Sequence, residues 1–434
     1  MSELQEVAGG RTIAAPAGRK LLVLDTSFTF EMIRERGLLD SVTCRDLGGF
    51  FDHVWTVHPF ASMLTSAGWT PRYGRPVQHR VNTHHTFIEG KVGRFRALGW
   101  LFPINFLISQ AGIFLMLLRL IRREKIDVIR VGSPLYVGLF GWALSRLSGI
   151  PFVVRVGGNH DKMYETTGQP AEPRLMRSRR VEKMVERFVF PRADLVAGAN
   201  QDNLDFALAN GARPERSTLF RYGNLIDKRH FAEPAERGLE PALLAEAGVA
   251  PQGFLIYVGR LVAVKHPDDV LRVLAEVRRK GHDIKAVLAG DGPMRGELVE
   301  LARQLGVEDQ VIFAGNKPQG WLAQVVPHAA VVISPHTGRA LSEAALAAVP
   351  IVAYDLDWQG ELVETGVTGA LVPHRDWKAM ADAAERFLGD RAHACEMGQA
   401  VRRRALEMLD PALLDQHERD RYSLLMEQRG RGRR

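Results

Sequence analysis

Cysteine is nearly absent from this chain: 434 residues contain two, Cys44 and Cys395, far apart in sequence. So thin a supply excludes a disulfide framework and a cysteine-built zinc site, and it fits a reducing compartment, the cytoplasm. The first eighteen residues are polar, rich in alanine and glycine, and lack an apolar core, so no secretory signal is expected. No internal repeat is evident. A large excess of charge of one sign is also lacking. The net charge is +7, but Arg429, Arg431, Arg433 and Arg434 supply four of those charges, and the body is only mildly basic. That argues against a nucleic-acid partner. The basic end reads either as a solvated, disordered tail or as a contact for an anionic membrane surface.

What is present is ordinary globular composition, 46% hydrophobic and 25% charged, in a chain longer than one core usually serves. Two domains are expected. Leu21 to Leu24, Ile126 to Val131, Phe152 to Val156 and Ala193 to Ala199 are short apolar runs separated by helix-length segments. This alternation predicts a parallel sheet with functional residues at its strand C-termini. Phe254 to Val258, Ala286 to Ala289, Val311 to Ala314, Val331 to Ser334 and Ile351 to Tyr354 repeat the pattern after a Pro-, Gly- and Ala-rich stretch, Glu233 to Pro251. That stretch reads as a linker.

Ala97 to Leu118 is an uncharged stretch of 22 residues, followed by Arg119, Arg122 and Arg123. Its length suits a bilayer span, but Pro103, Asn105, Ser109 and Gln110 interrupt it, which favours a helix docked on the sheet, then an interfacial helix, over a span. His79, His84 and His85 lack a ligand spacing and read as surface polarity. Arg174 to Arg187 carries many cations at helical spacing and reads as a solvated face or as a contact for phosphate groups.

Three loops carry candidate chemistry. Gly157-Gly158-Asn159-His160-Asp161 ends a predicted strand; its glycines let backbone approach a ligand while His160 and Asp161 project from the sheet edge. Gly259-Arg260, with Lys265 five residues on, places two cations after another strand, Arg as a fork and Lys as a point charge suited to a diphosphate. From Pro335 the chain passes through His336, Gly338 and Arg339 into an alanine-rich helix carrying Leu341, Ser342 and Glu343. The N-terminus of that helix suits an anion, and Glu343, a turn inside, suits a sugar diol. A capped surface helix is the plainer reading. Gly290-Asp291-Gly292-Pro293 lacks the third glycine of a dinucleotide fingerprint, which argues against NAD. Asp355-Leu356-Asp357 has the form of a metal-binding pair but is too short a pattern to carry weight, and no metal is expected.

In order along the chain, Gly259-Arg260…Lys265, Gly290-Asp291-Gly292-Pro293 and Glu343-Ala344 before Val349-Pro350-Ile351-Val352-Ala353 resemble glycosyltransferase family 4. The likeness runs from about Phe254 to Phe387 and, more loosely, through Asp127-Val128-Ile129, Gly157-Gly158-Asn159-His160 and Ala193-Asp194-Leu195-Val196. It implies an α/β chain of GT-B fold, two Rossmann-like doubly wound parallel-sheet domains facing a cleft. Residues 19–232 would form the acceptor-side domain and 253–400 the nucleotide-sugar domain, joined by a linker at 233–252. Helices at 401–427 would pack back across that linker, between tails at 1–18 and 428–434.

The resemblance further implies retaining transfer from a nucleotide-diphosphate sugar to a hydroxyl acceptor such as a glycolipid, a lipid-linked precursor or a polysaccharide, at the inner face of the membrane or free in the cytoplasm. Arg260 and Lys265 would bind the diphosphate, aided by Gly259, Gly290, Gly292, Gly338, Arg339 and the helix N-terminus near Leu341 and Ser342. Glu343 would bind the ribose and His160 the donor sugar, with Gly157, Gly158, Asn159 and Asp161 on the sugar or acceptor side. No cofactor is implied.

Two departures bear on the sugar. The family's first glutamate, eight residues before Glu343, is replaced by Pro335 with His336 beside it, and the glycine pair before Glu361 by Asp357-Trp358-Gln359-Gly360. Another GT-B enzyme, an epimerase or phosphorylase, and a catalytically silent nucleotide-sugar binder are the alternatives.

Overall fold

A computed structural model describes residues 18–35, 38–64, 71–222, 226–238, 240–336 and 338–431. Of the expected tails, 1–17 and 432–434 lie outside the described residues; the last helix, Pro411–Arg431, runs through the start of the second. The chain divides into two compact units, one of residues 1–155, 185–196 and 418–434, the other of 156–184 and 197–417.

Among the described residues fourteen strands form two sheets. The first contains β1 (Lys20–Leu24), β2 (His53–His58), β3 (Val77–Arg80), β4 (His85–Glu89), β5 (Val128–Val131), β6 (Phe152–Val156), β7 (Leu195–Gly198) and β8 (Ser217–Leu219), in the order β3-β4-β2-β1-β5-β6-β7-β8. β1 pairs in parallel with β2 and β5, while β3 runs antiparallel to β4 at the edge. Leu21 to Leu24 are fully enclosed, as expected of a parallel strand covered on both faces. The histidine cluster departs from its reading as surface polarity. His79 lies in β3 and pairs with Glu89 at 3.2 Å, and His85 is buried in β4. Polar residues hid both strands from a hydrophobic-pattern reading, since β3 is a largely exposed edge.

The helix Phe102–Glu124 is long and apolar enough, by length and composition, to cross a membrane, yet one side of it is buried in this unit. The three polar residues that interrupt the stretch lie on that inner side. Asn105 Oδ1 accepts from the Arg94 and Phe95 amides, Ser109 donates to the Lys91 carbonyl at 2.7 Å, and Gln110 donates to the Pro59 carbonyl at 3.2 Å. From Glu418 onward the last helix packs in the same unit, where Glu418 meets Arg155 at 3.4 Å and Tyr422 meets the Phe51 ring.

The second sheet contains β9 (Phe254–Val258), β10 (Lys285–Ala289), β11 (Val311–Gly315), β12 (Val331–Ser334), β13 (Ile351–Tyr354) and β14 (Ala370–Val372), in the order β11-β10-β9-β12-β13-β14. Residue alternation assigns its faces. Leu255, Tyr257, Leu288 and Ile333 pack in one core with the helices Pro267–Arg279 and Trp377–Gly389; Phe254, Ile256, Val287 and Val332 pack in another with Gly338–Leu346 and Arg391–Leu409. The expected linker is structured in part, with a helical turn at Pro241–Glu246.

Strand order positions the site. The chain leaves β9 in one direction through β10 and β11, then returns to lay β12 on the other side of β9. The loops after β9 and β12 therefore diverge over a reversal of strand order, the usual place for a ligand on an open parallel sheet.

Candidate active site

The loop after β9 is shaped by close backbone packing. A Cβ on Gly290 would stand 1.8 Å from the Gly259 carbonyl oxygen, and one on Gly292 would stand 2.3 Å from that of Leu261. Leu261 N–H donates to the Asp291 carbonyl at 3.0 Å, and the Tyr257 hydroxyl donates to the Arg260 carbonyl at 2.9 Å. The Gly-Asp-Gly stretch thus braces the cation-bearing loop, which gives both glycines a packing reason of their own.

Arg260 is exposed at the end of that loop, and Lys265 is half-buried in the turn Ala263–Lys265. Among the described residues neither makes an ion pair. Burial and then the Arg260 charge push the Lys265 ammonium below its ordinary range, with Asp357 opposing. Two neighbouring cations without a carboxylate neutralising them form a field that an anion relieves.

His336, from the loop after β12, reaches across the reversal point. Its Nδ1 lies 3.0 Å from the Val264 carbonyl oxygen and its Nε2 3.4 Å from Asp357 Oδ2, so the ring faces a hydrogen-bond acceptor on each side. Asp357 is held in a left-handed turn, φ 60°, and Gln359 donates to the carbonyls of Pro335 and Tyr354 at 2.9 and 2.7 Å. The two departures from the family pattern are therefore neighbours in space.

The helix after His336 spans Gly338–Leu346, so its free amides are those of its first turn. Leu341 is enclosed in the core and Ser342 is buried, so the contact expected of this helix N-terminus is one for backbone amides. Glu343 is buried too. Arg339 Nε lies 3.4 Å from its Oε1, and burial raises its carboxyl against the pull of Arg339 and a hydrogen bond from Gln319. Gln319 Oε1 in turn is 2.7 Å from His230 Nε2, a support the sequence did not reveal.

The loop after β6 belongs to the same unit. A Cβ on Gly157 would meet the Tyr222 hydroxyl at 2.8 Å, whereas Gly158 borders open space. Asn159 caps the helix His160–Thr167 by accepting from the Asp161 and Lys162 amides, and its amide nitrogen donates to Asp202 at 3.1 Å. The His160 ring stands edge-on to Phe206, 5.4 Å between centroids. Asp161 does not project freely. Arg179 at 3.0 Å and Lys183 at 3.1 Å hold it, so within the 174–187 segment Arg179 is a buried anchor and Lys183 a half-exposed one, while Arg174, Arg177, Arg180 and Arg187 remain exposed.

Asp202 and Lys162 are site residues that the motif reading missed. Lys162 Nζ is 2.6 Å from Asp202 Oδ1, and Asp202 is hydrogen-bonded to Asp357. Burial raises Asp202 against Lys162 and Asn159, while Asp357 stays below its ordinary value despite burial because His336 and then Asp202 hydrogen-bond it. The chain from Asn159 through Asp202, Asp357 and His336 thus links the His160 loop to the Lys265 loop. Glu361 adds a second link by accepting from the Gln201 amide at 2.6 Å and from Arg221.

Among the described residues the one grouping of metal-type ligands is His266, Asp268 and Asp269. All three already have partners: His266 meets His374 at 3.0 Å, Asp269 accepts from the Tyr354 hydroxyl, and both aspartates bind Arg272. Asp355 is exposed and lies outside this grouping. A groove of about 410 Å³ in the other unit is lined by Ile121, Arg122, Lys125, Gly149 and Met426. It opens at the strand N-termini of β5 and β6, the edge a parallel sheet does not use for ligands.

Residues 247–404 match the family described as Glycosyl transferases group 1, and residues 63–223 match the Glycosyl transferase 4-like domain. An alpha-D-kanosaminyltransferase of Streptomyces kanamyceticus is 27% identical over 58% of this chain and 64% of its own length. A D-inositol 3-phosphate glycosyltransferase of Nocardia farcinica is 31% identical over 45% of this chain. The match spans 47% of that protein, so this chain aligns with less than two thirds of either relative. The Anabaena protein Alr3699/HepE, solved with UDP and glucose, superposes with a TM-score of 0.69 over 93% of this chain and 99% of that one, at 19% identity.

Proposed function

We propose, starting from the family 4 glycosyltransferases of GT-B fold to which this chain belongs, that it moves a sugar from a nucleotide-diphosphate sugar to a hydroxyl acceptor with retention at the anomeric carbon. Residues 253–400 hold the donor and 19–232 face the acceptor. The observation that carries this reading is the un-neutralised pair Arg260 and Lys265 where strand order reverses. Breaking the C1–O bond places negative charge on the β-phosphate, and two preorganised cations with the first turn of the helix Gly338–Leu346 meet that charge where it develops.

Glu343 is assigned to the ribose and His160 to the reacting sugar. His336 and Asp357 take the part of the family's missing glutamate, since together they set a donor and an acceptor beside Lys265. With two cations supplied by the chain, the reaction runs without a divalent ion. Free thiols at Cys44 and Cys395 suit a reducing cytoplasm.

The test is a panel of nucleoside diphosphates and their sugars, read first as thermal stabilisation, where a ligand at 100 times its Kd adds about 2.7 kcal/mol. Product analysis with the stabilising donor follows. Transfer with retained configuration supports the assignment; an isomerised or phosphorolysed sugar, or binding without turnover, would replace it with one of the alternatives.

A further inference from the structure

The outer face of the helix Phe102–Glu124 is apolar where a soluble surface is normally charged. Exposed positions Ile104, Leu107, Ile108, Ala111, Gly112 and Leu115 recur at helical spacing and form one stripe. Leu107 is 66% exposed, and Ile104 and Leu115 are each 51% exposed. Because Asn105, Ser109 and Gln110 turn inward to bind the protein, nothing polar breaks the stripe. Trp100, 79% exposed, and the exposed Phe95 stand just before the helix.

Both ends of the stripe are cationic. Arg96 is exposed beside the aromatic pair, and Arg119 and Arg122 continue the stripe on the last turns. Among the described residues none of the three makes an ion pair, and the helix has no acid before Glu124, which is occupied by Lys20 and Arg123. A symmetric pair of copies packed along this stripe would set cationic end against cationic end whether the two helices ran parallel or antiparallel. An anionic surface meets both ends at once.

We infer that this stripe docks the protein on an anionic lipid bilayer, the helix lying in the interface plane with Trp100 and Phe95 at headgroup depth and Arg96, Arg119 and Arg122 against lipid phosphates. Apolar burial and phosphate contact then act together, as an interfacial helix requires. The inference rests on this surface alone and is independent of the sugar chemistry.

Flotation with vesicles tests it without any activity readout. The full-length protein should float with vesicles of phosphatidylcholine and phosphatidylglycerol and stay behind with phosphatidylcholine alone. Each arginine at an anionic surface contributes about fivefold to partition, so Arg119→Gln/Arg122→Gln should lower it by more than about tenfold. Leu107→Glu/Leu115→Glu alters only exposed positions and should abolish flotation at an unchanged thermal midpoint. Wild-type protein that stays unbound at both compositions overturns the inference. So does a Leu107→Glu/Leu115→Glu variant that floats normally, or one that changes the sedimentation of the lipid-free protein, which would make the stripe a contact between copies.

Discussion

Replacing Lys265 by alanine should raise stability and lower turnover, an opposed pair of effects that separates an active-site cation from a structural one. The ammonium is half-buried beside Arg260, and no carboxylate pairs with it among the described residues; burial and Arg260 hold its pKa below the ordinary lysine value. A depressed lysine pKa means that the unfolded chain binds the proton more tightly. The charge therefore opposes folding at neutral pH, and that opposition fades only as pH rises through the folded-state pKa toward 10.5.

Alanine removes the conflict along with its pH dependence. In the transition state the same charge faces the β-phosphate, and loss of one preorganised donor costs about 3 to 4 kcal/mol, a fall in turnover of roughly two to three orders of magnitude. The assay pairs initial rates at saturating donor with thermal unfolding at neutral and alkaline pH. Turnover within about tenfold of wild type, or a variant clearly less stable at neutral pH, would refute the assignment.

Glu343→Gln keeps the volume and the contact to Gln319 but discards the charge, so nucleoside diphosphate affinity should fall by about 1.5 to 3 kcal/mol, measured by calorimetry. Unchanged affinity would leave Glu343 as a buried partner of Arg339 only. His160→Ala should reduce kcat more than donor affinity, because a group at the reacting sugar acts mainly in the transition state. Equal losses in both would make it a binding residue. Excess EDTA should leave turnover intact; loss restored by Mg²⁺ or Mn²⁺ would return Asp355 and Asp357 to a metal role. Burial pushes His58 and His230 down to about 4, so the unfolded chain takes up their protons first, and stability should decline as pH falls from about 6.5 toward 4. His58→Gln and His230→Gln should each flatten that slope in acid denaturation curves, and an unchanged slope would contradict the assignment.

The sequence by itself determined the strands that are continuous apolar runs, because a buried parallel strand needs β-branched and aliphatic residues on both faces: β1, β6, β9, β12 and β13 were legible in this way. It also determined the cation pair and the glycine loops, since spacing along one loop is local information. It did not yield β2, β3 and β4, whose histidines and edge polarity obscure the period.

Only the tertiary structure decided what depends on contacts between distant segments. Spacing cannot say that Asp202 meets Asp357, that His336 braces the Lys265 turn, or that Arg179 is an anchor for Asp161 and not a solvated charge. Nor can it say which side of the helix Phe102–Glu124 faces out. Asn105, Ser109 and Gln110 read in sequence as interruptions of an apolar run, but a helix places them on one face, and backbone carbonyls and amides of the neighbouring loops supply the hydrogen bonds that let that face be buried.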